Sequence, residues 1–242
     1  MNKPKHVVIL GLGPSLNQYV DIVKRMGGRR KLADEVWAIN ALGDIVQCDR
    51  IFHMDDVRIQ QVRADAAPNS NIAAMLEWMR TCTTPIMTST PHEDYPSAEA
   101  FPLEDVLNAT GYGYLNNTAA YAVAYAVYIG VEKITLFGVD FTYPNAHDAE
   151  KGRGCVEFWL GYAAARGIKL SMPVTTSLMD AVAPMEERLY GYDSVRVQVE
   201  EVGGRKVVQF TPRDTLPTAE EIEARYDHSA HPNRLMEQEV ST

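Results

Sequence analysis

The sequence predicts an α/β protein: a Rossmann-like, mostly parallel sheet with helices on both faces, plus a C-terminal β-hairpin addition. Three observations carry that expectation. Short apolar runs alternate with helical segments through residue 172, the pattern of consecutive strand–helix units. The runs are nearly continuous in apolar residues, as in strands covered on both faces. The stretch HVVILGLGPSL, residues 6–16, sends the first run into a turn with two glycines and a proline, and a helix follows.

Residues 7–10 are the first strand. In the turn, Gly11 and Gly13 permit a backbone approach that a Cβ would block. Pro14 suits a first helical turn, where its missing N–H is not needed. A helix starting from Ser15 would aim free N–H groups and a positive dipole end at an anion. Near the start of an α/β chain this points to the phosphate of a nucleotide. The spacing is not the dinucleotide fingerprint G-x-G-x-x-G, because the third residue after Gly13 is Leu16. The plainer alternative is a tight strand-to-helix turn that binds nothing.

A helix over 17–25 ends at Gly27-Gly28. A strand over 35–39 has Asn40 at its C-terminal end. A strand over 50–53 leads to Asp55 and Asp56. Ile72, Met75, Leu76 and Met79 fall at helical spacing and predict a helix over 72–80. Residues 86–88 are a short strand. The alanine-rich segment 118–129 is apolar on most sides and reads as a buried helix, capped by Asn117 or Thr118 and stopped by Gly130. A strand over 133–137 ends in Gly138-Val139-Asp140. A helix over 156–166 and a strand over 168–171 complete the alternation. Residues 194–202 and 205–211 alternate apolar and polar around Gly203-Gly204, a hairpin signature. A short acidic helix over 218–226 follows Pro217, and the chain is polar from 227 onward. The expected organisation is a nucleotide-binding unit over 1–180, the hairpin and short helix over 181–226, and a flexible tail over 227–242.

Composition excludes several classes. The net charge of −9 argues against nonspecific binding along duplex DNA or to an anionic membrane. No stretch approaches the ~20 apolar residues needed to span a bilayer. The N-terminal MNKPKHVVIL has too short an apolar run for a secretion signal and reads as a strand. Cys48, Cys82 and Cys155 form neither a zinc pattern nor a disulfide framework, so a cytoplasmic location is expected.

Three stretches together resemble a known superfamily. GLGPSL (11–16) resembles the G-x-G-P-S-L motif of the MptE-like domain. That domain is named for 6-hydroxymethyl-dihydropterin pyrophosphokinases, and its group includes motility-associated glycosyltransferases. The bacterial family-42 sialyltransferases share a similar motif. NNTAAYAVAYAVYIGVEKITLFGVDF (116–141) resembles their helix, strand and terminal G-[IV]-D-F. His147, the helix over 156–166, the strand IKL and TSLM (176–179) follow in matching order. The resemblance spans roughly residues 6–180 and leaves the hairpin and tail uncovered. It implies a general-base role for His147 on an acceptor hydroxyl, a donor-nucleotide contact for Asn40, and a nucleotide-holding role for Thr118. It places Tyr143 one residue from a catalytic tyrosine. Leu12 departs from the sialyltransferase pattern, which carries asparagine there, so the resemblance reaches a general phosphate site rather than a CMP-linked donor.

Ligands of open parallel sheets bind beyond the C-terminal strand ends, at the switch point in strand order. The fold would gather Gly11 to Ser15, Asn40, Asp55, Asp56, Gly138 and Asp140 there. His147 has the residue type for proton removal near neutral pH; otherwise it is a solvated loop histidine. Asp140 is read as catalytic or as a Mg²⁺ ligand with Asp55 and Asp56, or else as an acceptor holding a turn. Arg153, in the glycine-flanked KGRG, could close over a phosphate on a mobile 143–154 loop.

The leading expectation is a nucleotide-dependent transferase, a glycosyltransferase moving a sugar from a nucleotide-sugar donor to a hydroxyl acceptor. One alternative is a Mg²⁺-dependent pyrophosphokinase acting from ATP on a hydroxymethyl group; another is a non-catalytic nucleotide-binding module. Mg²⁺ would accompany an NTP or diphosphate donor. The acceptor stays open, nucleic acid being disfavoured by the acidity, and a homo-oligomer is compatible with the sequence.

Overall fold

The computed structural model describes residues 3–142, 146–183, 188–192, 194–203 and 205–224. The chain divides into two compact units, Met1–Val182 and Ala183–Thr242.

The first unit is built on a seven-stranded sheet in which every pairing is parallel. In chain order its elements are β1 (His6–Leu10), α1 (Leu16–Met26), β2 (Glu35–Ile39), α2 (Leu42–Ile45), β3 (Arg50–Phe52), α3 (Val57–Ala66), α4 (Asn71–Thr81), β4 (Ile86–Thr88), β5 (Ala98–Ala100), α5 (Leu103–Thr110), α6 (Thr118–Ile129), β6 (Lys133–Phe137), α7 (Ala146–Ala165) and β7 (Lys169–Ser171). The strand order is β5-β4-β3-β2-β1-β6-β7. From β1 the chain steps outward one way to β5, then returns to the other side of β1 as β6. The switch point therefore lies between β1 and β6.

Alternate residues of each strand face opposite layers, and both layers are apolar. Val7 and Ile9 of β1, Trp37 of β2, Phe52 of β3 and Leu136 of β6 join α6 and α7 in one core. Val8, Leu10, Val36, Ala38, Ile51 and Phe137 join α1, α3 and α4 in the other. This double cover explains the unbroken apolar runs in the sequence. Helix α6 buries alanines and valines on most of its sides, as its composition requires.

The second unit contains a hairpin of β8 (Val195–Val202) and β9 (Arg205–Pro212), paired antiparallel, and the short helix α8 (Ala219–Glu223). Thr218 caps α8 in a reciprocal arrangement with Glu221. The end of the expected 218–226 helix and the tail lie outside the described residues. No helix among the described residues is long and apolar enough to cross a membrane.

The structure corrects the reading of several elements. α1 begins at Leu16, so Pro14 and Ser15 sit in the turn before it. α7 begins at Ala146 rather than at residue 156, so KGRG is helical and the expected 143–154 loop is helix from 146 onward. Its two glycines lower local helix propensity and hide that start. α3, β5 and α5 carry little sequence signal. The buried stripe of α3 is Val57, Gln60 and Ala64, with a polar residue in the middle, and β5 is only AEA.

Candidate functional site

A crevice of about 610 Å³ opens at the C-terminal ends of β1, β2 and β6, where an α/β sheet of this order binds ligands. Its volume lies within the range of small-molecule sites, roughly 300–1,000 Å³. Three loop segments form most of its wall: 11–14 after β1, 116–119 at the start of α6, and 138–142 after β6. Ile39, Asn40 and Asp55 add the side toward β2 and β3.

The first and third segments are joined by backbone. The Gly11 N–H donates to Phe137 O at 2.9 Å and the Gly13 N–H to Gly138 O at 2.7 Å. A Cβ on Gly11 would sit 2.4 Å from Gly138 O, and one on Gly138 would sit 2.0 Å from Gly11 O. The glycines thus allow two loops of the protein to touch, a use of their bareness that the sequence reading did not include. Gly138 also has a φ of 68°, which favours glycine independently.

Asp140 completes the junction. It is 4% exposed, and its Oδ2 accepts the Ser15 N–H while its Oδ1 accepts the Ser15 hydroxyl, each at 2.7 Å. The Ser15 Oγ in turn accepts the Gly138 N–H at 2.7 Å. Thr176 and Ser177 hold the same loop from behind, donating to Val139 O and Asp140 O. The sequence reading used those two residues only as part of a motif.

These bonds alter where an anion could be held. The N–H groups of Leu16, Asn17 and Gln18 turn back onto Gly13 O, Pro14 O and Ser15 O. The start of α1 therefore does not offer the free donors that the sequence led us to expect. The start of α6 does. Its twelve residues begin at the crevice, and Asn117 caps it by accepting the Ala120 N–H at 3.0 Å. The N–H groups of Thr118 and Ala119, both lining the crevice, make no hydrogen bond to the described residues. They stand at the positive end of the helix dipole.

Helix α7 is tied to this wall. Asn116 Nδ2 donates to Lys151 O and Asn117 Nδ2 to Gly152 O, each at 3.1 Å. His147 lies one helical turn before Lys151 and is exposed, which sets its backbone roughly 6 Å along the helix axis from that anchor. Behind the wall, Trp159 Nε1 donates to Tyr114 O at 2.6 Å, fixing the approach to Asn116.

Two residues lining the crevice hold a left-handed backbone without being glycine: Asn40 at φ 53° and Phe141 at φ 50°. Such conformations cost energy and concentrate at functional sites. Asn40 Oδ1 lies 3.2 Å from Nδ1 of His53, which is 1% exposed. Burial pushes the His53 pKa down, with Asp55 opposing the shift, and this favours the neutral ring.

The fold thus brings Gly11, Leu12, Gly13, Pro14, Asn40, Asp55, Thr118, Gly138 and Asp140 to one crevice. Ser15 supports it from below. Arg153 is turned to carboxylates instead, 3.4 Å from Glu157 and 3.5 Å from Asp180. Tyr143 lies outside the described residues.

The residues fit a dedicated Mg²⁺ site poorly. Both oxygens of Asp140 are engaged by Ser15. Asp56 caps α3 and pairs with Arg58, which holds its carboxyl down to about 2. Of the three carboxylates, Asp55 alone is left to face the crevice. Among the described residues no group of three or more His, Cys, Asp or Glu is arranged to hold a metal ion.

A second groove of about 630 Å³ runs along α3 and α4, lined by Gln61, Asp65 and Arg80 among others. It lies away from the strand ends, and no glycine turn borders it.

No family model matches this sequence, and no curated protein is similar to it in sequence. Solved structures do show a likeness. The chain is similar in structure to sialyltransferase CstII. A single-site variant of that α-2,3/8-sialyltransferase aligns at 16% identity and TM-score 0.45, over 92% of this chain and 100% of that one. CstII from Campylobacter jejuni in complex with the substrate analogue CMP-3FNeuAc aligns at 16% identity and TM-score 0.45, over 90% and 97%. CstII with a trisaccharide acceptor and CMP gives 16% and 0.43, over 91% and 98%. At this identity the likeness to CstII concerns the fold.

Proposed function

We propose that this chain is a glycosyltransferase that moves a sugar from a nucleotide-linked donor to a hydroxyl acceptor. The observation that carries the reading is the crevice at the β1–β6 switch point, with two unpaired helix-start N–H groups on one wall and an asparagine amide on the other. The sequence resemblance of residues 6–180 supports the same reaction class.

In this reading the donor phosphate lies against the Thr118 and Ala119 N–H groups, and Asn40 contacts the nucleoside. The 11–15 and 138–140 loops form the floor, and Asp140 acts by holding that floor in place. His147 takes the proton of the acceptor hydroxyl. The acceptor oxygen forms its bond to the anomeric carbon as the bond from that carbon to the phosphate oxygen breaks. The electron pair leaves with the nucleotide. No step is routed through a metal: Asp140 and Asp56 are committed elsewhere, and Asp55 is a single carboxylate. The free thiols of Cys48, Cys82 and Cys155 fit a reducing, cytoplasmic setting.

The test is a thermal-shift screen against CMP, UDP, GDP, ATP and nucleotide sugars, with and without Mg²⁺. Stabilisation follows ligand affinity. The reading expects a shift with one nucleotide and its sugar conjugate, and sugar transfer that His147→Ala lowers by about a hundredfold or more without lowering the shift. Stabilisation by ATP only with Mg²⁺, with AMP released on turnover, would replace this reading with diphosphate transfer. No shift with any of them would end it.

A further inference from the structure

His53 follows β3 and is buried, yet one of its ring nitrogens reaches a residue of the crevice. Its Nδ1 stands 3.2 Å from Oδ1 of Asn40. Its Nε2 is buried and makes no hydrogen bond among the described residues. Its neighbour across the β3–β4 ladder is Thr88, one position beyond the Phe52–Met87 pair, and Thr88 Oγ1 is likewise buried and unpaired. The backbone at this point is fixed, since the His53 N–H donates to Met87 O at 2.8 Å and the Asn40 N–H to Phe52 O at 2.9 Å.

Nε2 has no acceptor among the described residues, so the ring proton belongs on Nδ1, and the atom of the Asn40 amide that faces it is the oxygen, which can only accept. A neutral ring has one such proton, and Nε2 is then a bare lone pair, as its lack of any acceptor requires. The Asn40 amide is therefore held by its oxygen, and its NH₂ is left for the crevice. An amide turned the other way would present an acceptor and select the opposite kind of partner.

We infer that His53 is a positioning residue that sets the polarity of Asn40, so that the crevice selects a nucleoside presenting an acceptor oxygen, a base carbonyl or a ribose oxygen. This rests on the proposed role of Asn40 in nucleotide binding.

The test is calorimetric titration of CMP and, separately, UDP into the wild type, Asn40→Ala, His53→Leu, His53→Asn and the Asn40→Ala/His53→Leu double variant. For the nucleotide that binds, His53→Leu should weaken affinity about tenfold, the worth of one hydrogen bond. Asn40→Ala should do the same, and the double variant should be no weaker than Asn40→Ala alone. His53→Asn places an amide donor where Nδ1 stood and should restore affinity to within about threefold. The melting temperature of His53→Leu should stay near that of the wild type, because the lost Nδ1 bond is offset by removal of the buried, unpaired Nε2. Normal binding by His53→Leu beside weakened Asn40→Ala would overturn the inference and leave the reading of the crevice intact. Additive losses, or a loss that His53→Asn does not rescue, would also overturn it. If the wild type binds neither CMP nor UDP, this inference fails while the reading of the crevice stands or falls with the wider nucleotide screen; if Asn40→Ala binds normally, the assigned role of Asn40 fails and takes this inference with it.

Discussion

The Asp140 carboxylate holds Ser15 with both oxygens, one on the backbone N–H and one on the hydroxyl, each at 2.7 Å. The two residues are 125 positions apart in the chain, and their contact closes the loops after β1 and β6 into one floor.

Removing this carboxylate should unmake the floor. Asp140→Ala leaves a buried N–H and a buried hydroxyl without their acceptor and should cost about 2–4 kcal/mol. Asp140→Asn keeps one acceptor and should cost less. Urea denaturation of both variants checks this; equal stability with the wild type would show that the contact contributes nothing.

Glycines in this chain differ in kind. Gly138→Ala places a Cβ 2.0 Å from Gly11 O at a positive φ, and should cost roughly 3 kcal/mol or more. Gly154 lies exposed within α7 with nothing near its missing Cβ. Gly154→Ala should therefore gain about 1 kcal/mol from helix propensity. Opposite signs in a pair of thermal melts support the assignment; matching signs refute it.

Asp56 makes stability depend on acid. Its hydrogen bonds to Arg58 lower its carboxyl from the ordinary 3.8 to about 2. A depressed carboxylate stabilises the fold above its unfolded value and loses that contribution as pH falls through the folded one. The stability difference between wild type and Asp56→Asn should be constant above pH ~5 and shrink steadily as pH falls from about 4 through 2. Melting temperatures across that range decide it, and a difference unchanged from pH ~5 down to pH ~2 would contradict the pairing.

Burial pushes the half-buried Cys48 thiol from 9.0 up to about 11. The thiolate is the reactive form, so iodoacetamide at pH 8 should modify Cys48 roughly a hundredfold more slowly in the folded protein than in urea. Peptide mass mapping reads the site directly. Comparable rates in both states would place Cys48 in water.

Where periodicity is strong, the sequence located the elements well. β2 was expected over 35–39 and occupies Glu35–Ile39; α6 was expected over 118–129 and occupies Thr118–Ile129. The helix caps were legible too: Gly27 and Gly130 both adopt the left-handed conformation that ends a helix. α3 escaped because Gln60 interrupts its buried stripe, and the early start of α7 because Gly152 and Gly154 dilute it. Asn40 was singled out by its place at a strand's C-terminal end and Thr118 by the family resemblance, and both line the crevice. His53 was missed as more than the end of a strand, since its partner is 13 residues away and on a different element.

The sequence by itself determined the parallel α/β architecture and the strand ends at which the crevice opens, because period, capping and turn residues act within a few positions of the chain. Tertiary structure decided what those residues touch. Whether a glycine makes room for a ligand or for another loop, and which helix keeps its first N–H groups free, depends on a carboxylate and a carbonyl delivered from the far end of the sheet. Such pairings are set by packing and leave no local mark in the order of residues.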